Sequence, residues 1–85
     1  MNAKTDEIVY FTVYAPGGNL LGNFRSKEKA ESFAAYERVR RVAEIEDSRA
    51  DNLMTQGEYR GAMNFATYGI TVRTMSLVFE DSLIQ

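Results

Sequence analysis

Apolar and polar positions along this chain change period twice, from two to 3.6 and back. In "EIVYFTVY", residues 7–14, Val9, Phe11 and Val13 alternate with Ile8, Tyr10, Thr12 and Tyr14. Period two with β-branched and aromatic residues predicts a strand. "APGGN" follows. Pro16 presets φ for the second position of a turn and Gly17 supplies the positive φ of a type II turn next to it. "LLGNF" then predicts a second strand over 19–24, so the pair reads as a β-hairpin. Ser26 stands where a helix N-cap belongs, with Glu28 in the first turn. The glycine- and proline-free run behind it predicts a long helix over 27–47.

Wound at about 100° per residue, that helix carries Ala35, Tyr36, Val39, Val42 and Ala43 on one stripe, with Ala30, Phe33 and Ala34 nearer the opposite side. Two apolar stripes on one helix imply two contacts: one end on the sheet, the other on the next helix or another subunit. Past residue 47 two readings stand. Ser48 and Asp51 have capping-box spacing for a short helix over 49–56, or the long helix continues to Gln56 and Gly57 breaks it. Thr55 and Glu58 also have capping-box spacing. They precede Tyr59, Ala62, Met63 and Ala66, which recur at i, i+3, i+4 and i+7 of a further helix. Gly61 weakens that helix by about 1 kcal/mol relative to alanine and suggests close packing. Gly69 suits its C′ position. "ITVRTMSLVF", residues 70–79, returns to strand character, and the apolar run Leu77–Phe79 suggests a bulge near Ser76 or a strand buried on both faces.

The order strand, strand, helix, helix, strand predicts an α+β domain, β-β-α-α-β. A three-stranded antiparallel sheet would pack on one long and one shorter helix, with the last strand beside the first. The helices would cover one sheet face, leaving Ile8, Tyr10 and Tyr14 on the other as a contact surface. Eighty-five residues make one domain over 1–85, with the polar residues 1–6 expected to be disordered.

Composition narrows the chemistry. The chain has no cysteine and no histidine. That removes disulfides, thiolate and imidazole catalysis and the common zinc sets. The expectation is therefore no enzyme, no metal site and no cofactor. Glu44, Glu46, Asp47 and Asp51 match no calcium-loop spacing, and "APGGNLLG" lacks the phosphate-loop pattern and opens onto a strand. No apolar run nears the roughly 20 residues of a membrane span. Without a signal-peptide pattern or a disulfide framework, a cytoplasmic location is expected.

Net charge is −2, ten basic against twelve acidic residues, so the chain offers no bulk field for capturing nucleic acid. The local exception is "YERVRRVAEIEDSRAD". Arg38, Arg40, Arg41, Arg49 and Lys27 would be the contacts of a nucleic-acid-binding helix. Against that reading, Glu37–Arg41 and Arg40–Glu44 are spaced i, i+4, and Glu31 lies on the side of Arg38, so each arginine has an acid nearby. Nucleic acid is thus the alternative partner and a protein the first. Tyrosine and arginine are frequent interface anchors. Phe33, Tyr36, Arg40 and Arg41 on the helix, or Tyr10 and Tyr14 on the sheet, are the candidate protein-binding residues, and a homodimer is one possible assembly.

The stretch "GNLLGNFRSKEKAESFAAY", residues 18–36, resembles the hairpin-into-helix pattern of small phage and bacterial accessory proteins. There a turn, a G-x-F-x-S second strand and a K-E-K-A-E-x-F helix start follow one another. The resemblance covers about a quarter of the chain. It implies a small modulator, an inhibitor or adaptor that docks on a larger protein, and it carries over no functional residue.

Overall fold

The computed structural model describes residues 5–80. Its elements are β1 (Thr5–Tyr14), β2 (Leu20–Phe24), α1 (Lys27–Ala50), α2 (Gln56–Tyr68) and β3 (Thr71–Glu80). The three strands form one antiparallel sheet in the order β2-β1-β3, the expected α+β arrangement. β1 starts at Thr5, so residues 5 and 6 are strand and not part of a disordered lead; residues 1–4 lie outside the described residues.

Local chemistry sets each boundary. The turn between β1 and β2 closes through Gly18 N–H donating to the Ala15 carbonyl at 3.0 Å, with Gly17 at φ 94°, as a type II turn requires. Ser26 caps α1 by accepting from Lys29 N–H at 3.3 Å. α1 ends in neither of the two ways expected. Asn52 adopts a left-handed φ of 57° and donates to the Arg49 carbonyl, while Leu53 N–H reaches the Ser48 carbonyl at 2.9 Å. This is a Schellman ending with asparagine at C′. It terminates the helix at Ala50, so neither a separate 49–56 helix nor a continuation to Gln56 forms. Thr55 caps α2 as its spacing predicts: its hydroxyl accepts from Glu58 N–H at 3.2 Å and donates to the Glu58 carboxylate at 3.1 Å. Gly57 lies inside the first turn of α2 and breaks nothing.

Three further expectations are corrected. The β1–β3 register runs unbroken from Thr5↔Glu80 to Tyr14↔Thr71, so there is no bulge near Ser76; the irregularity sits on the other side of β1, between Val13 and Tyr14 opposite β2. A Cβ at Gly61 would meet nothing within 4 Å, so no close packing requires glycine there. Gly69 ends α2 at φ −82°, with no left-handed turn. Its role is close approach: a Cβ there would lie 2.6 Å from the Phe65 carbonyl oxygen and 2.7 Å from Pro16 Cγ, so glycine lets the hairpin turn seat against the end of α2.

The core is small. Val13, Ala30, Ala34 and Ile70 are buried together, with Phe11, Leu21, Phe24, Phe33 and Val72 packed around them. Ala30 and Ala34, one turn apart, present no bulk and let the first half of α1 lie close on the sheet face bearing Phe11 and Val13. The expectation that both helices cover this face is half right. α1 runs off the sheet, and α2 lies along its second half, where Ala62 and Ala66 border a hollow shared with Ile45 and Arg41.

Candidate functional site on the long helix

The middle of α1 is inside out. The side that follows on from Ala30 and Ala34 carries Glu37, Arg38 and Arg41; the opposite side carries Ala35, Tyr36, Val39 and Ala43. Glu37 is 7% exposed, whereas Val39 is 71% exposed and Tyr36 62%.

Buried charge is tolerated because it is paired. Glu37 accepts from Arg40 Nη2 at 2.9 Å and lies 3.5 Å from Arg41 Nε, an ion pair that lacks hydrogen-bond geometry. The Arg40 guanidinium holds the Glu37 carboxyl below the usual carboxylate range; burial opposes this, and the charges of Arg40 and Arg41 reinforce it. Arg40 also donates to Glu44 at 2.7 Å. The expected Glu37–Arg41 and Arg40–Glu44 neighbours therefore meet. The Arg38–Glu31 pairing does not occur: Arg38 Nη2 instead donates to the Ile70 carbonyl at 3.0 Å, tying α1 to the entry of β3. A bond to a backbone carbonyl leaves that arginine committed to the fold. At the far end, Arg49 lies 4.3 Å over the Tyr59 ring and the Tyr59 hydroxyl donates to Glu46. That bond to a carboxylate raises the Tyr59 pKa, with burial adding to the effect.

The candidate protein-binding residues divide into three places. Tyr36 and Arg40 are on the exposed side and flank of α1, with Arg41 turned inward. Phe33 is corrected: it packs inward on Phe24, ring centroids 5.1 Å apart, and belongs to the core rim. Tyr10 and Tyr14 lie on the opposite sheet face, as expected, but both are half-buried. Between them Thr12, 2% exposed, donates to Asn23 at 2.7 Å, and Arg73 sits 5.3 Å over the Tyr14 ring. Around Thr12 and Tyr14 that face is tied by polar contacts.

The nucleic-acid set does not converge. Lys27 and Arg49 are about 33 Å apart along the helix axis. Arg38 is held by Ile70, Arg40 and Arg41 by Glu37, and Arg49 by Tyr59. Among the described residues no group of three or more acidic side chains is placed to hold a metal ion, and no helix is long and apolar enough to cross a membrane.

On α2 Phe65 and Tyr68 are exposed, Tyr68 at 78%. With Gly61, Asn64 and Gly69 they line a shallow groove of about 430 Å³. The signal was present: both fall on the side of α2 away from the Tyr59, Ala62, Met63 and Ala66 stripe that meets α1.

Compared with known protein families, with curated proteins and with solved structures, the chain matches none of them.

Proposed function

We propose that this chain is a non-catalytic protein-binding module, an inhibitor or adaptor of the phage accessory type, that docks on a larger protein through the outer face of α1. One observation carries the reading: Ala35, Tyr36 and Val39 form an apolar stripe that neither the sheet nor α2 covers, with Arg40 beside it. An exposed aliphatic and tyrosine stripe rimmed by arginine has the composition of a protein interface centre. Tyr36 and Val39 would be buried in a partner's groove and Arg40 would fix orientation, its apolar stem lying along the partner surface. The action would be steric or conformational. The absence of histidine and cysteine supports the non-catalytic part.

The test uses the full chain as bait beside its Tyr36→Ala and Arg40→Ala variants. Each variant is checked for an unchanged circular dichroism spectrum. An anchor of this kind contributes about 2 kcal/mol or more, so retention of the partner should fall at least thirtyfold in Tyr36→Ala. If both variants hold the partner as wild type does, the helix site is wrong. Salt-dependent binding to DNA or RNA at low ionic strength would turn the reading to nucleic acid; this reading expects none, since the arginines are already paired.

A further inference from the structure

β3 is an edge strand with no protection. It runs for ten residues in unbroken register with β1, contains no proline, glycine or bulge, and among the described residues no strand pairs with its outer side. Natural edges are normally shortened, bulged or charged to prevent pairing. The other edge of this sheet follows that rule: β2 has five residues and faces an irregular register.

The outer half of β3 lacks support as well. β2 pairs only with Phe11–Tyr14, so residues 5–10 and 75–80 form a two-stranded ribbon projecting beyond the third strand. Ile8 faces Leu77 and Tyr10 faces Met75 on one side, while Val9 and Val78 lie on the other. Leu77 is 49% and Val78 52% exposed. A ribbon of two strands is marginal in water and needs a third strand or a packing partner. The extents, 68 × 21 × 16 Å, and the radius of gyration, 18.8 Å against about 12 Å expected for this length, describe a molecule drawn out at both ends.

We propose that two copies of this chain pair β3 to β3, antiparallel, about a two-fold axis perpendicular to the sheet at Ser76. The product is a continuous six-stranded sheet with both α1 helices on one side. The strand's own sequence favours a second copy over a foreign strand. Self-pairing about Ser76 sets Met75 of each copy opposite Leu77 of the other on one face and Thr74 opposite Val78 on the other, so apolar meets apolar and β-branched meets β-branched. The two ribbons then support each other, and Met75, Leu77, Ile8 and Tyr10 of both copies join into one apolar strip. This seam is separate from the outer face of α1, and either can fail without the other.

The chain has no native cysteine, so single cysteines report the seam directly. Sedimentation equilibrium of the wild type at micromolar concentration should give the dimer mass. Oxidation should link the dimer through Ser76→Cys and not through Val39→Cys on α1. Leu77→Lys should weaken dimerisation at least tenfold with an unchanged circular dichroism spectrum. Should that variant fail to fold, amide exchange on the wild type decides: protection of β3 must rise with protein concentration. A monomer throughout the range, exchange of β3 independent of concentration, or a dimer that links through Val39→Cys and not through Ser76→Cys overturns the proposal.

Discussion

Two glycines, one inside α2 and one at its C-terminal end, should respond to the same substitution with opposite signs. Gly61 is inside α2 and a Cβ there meets nothing within 4 Å. Gly61→Ala therefore gains helix propensity and loses unfolded-state entropy without a clash, a stabilisation of about 1 kcal/mol. Gly69 has a φ that alanine adopts readily, so backbone strain does not enter. The obstacle is space. The added methyl would sit 2.6 Å from the Phe65 carbonyl oxygen and 2.7 and 2.8 Å from Pro16 Cγ and Cβ. None of these atoms is the end of a flexible side chain, so the hairpin turn must lift off α2, at a cost of about 1–3 kcal/mol. In a domain of this length 1 kcal/mol moves the melting temperature by roughly 4–8 °C. Urea unfolding and thermal melts of both variants should place Gly61→Ala above the wild type and Gly69→Ala below it. A Pro16→Gly background removes two of the three clashing atoms, so the Gly69→Ala penalty should shrink there. A Gly69→Ala chain as stable as the wild type would refute the docking of the turn on α2. An equal penalty in both backgrounds would assign the whole cost to the Phe65 carbonyl.

Three other outcomes are expected. The Glu37 carboxyl is held below its unfolded range, so its contribution is present above the ordinary carboxylate pKa of about 4.3 and lost as pH falls through the lower folded value; urea midpoints from neutral to acid pH should show an acid-side fall that Glu37→Gln flattens. Ala34 is fully buried between α1 and the sheet, so Ala34→Leu should destabilise by about 1–3 kcal/mol, seen as a lower urea midpoint with an unchanged slope. Tyr59 donates to Glu46, so ultraviolet titration of the five tyrosines should show one late component that Tyr59→Phe removes.

The element order, the turn at Pro16 and Gly17, both N-caps and the face of β1 that meets α1 were legible because each is written in a few neighbouring residues. What sequence could not rank was the choice between the two apolar stripes of α1. Hydropathy favours the one with Tyr36 and Val39; the structure buries the one with Ala30 and Ala34, because two alanines a turn apart give the closest approach to a sheet. Phe33 lies on the Ala30 and Ala34 side, as its spacing predicts, and is therefore core rim and not a docking residue. The end of α1 was missed because Asn52 was not weighed as a left-handed terminator, although asparagine is the usual substitute for glycine there. The run Leu77–Phe79 allows either a bulge or a strand with two apolar faces, and local sequence does not rank them; the regular register with β1 removes the bulge.

The pairing of β1 with β3 also fixes when this protein can finish folding. Thr5 pairs with Glu80 and Tyr14 with Thr71, so every rung of that ladder joins the first described strand to the last. On a ribosome adding about 5–20 residues per second, β1 waits roughly 3–12 s for its main partner to be made. The hairpin with β2 and the two capped helices can form meanwhile, but β1 spends that interval with one edge open in the middle of the future sheet. Closure then depends on the most distant contacts in the chain, the kind that slow folding most. A ribosome stalled before Thr71 would therefore present a nascent chain with helices in place and an apolar strand unpaired, a ready target for chaperones.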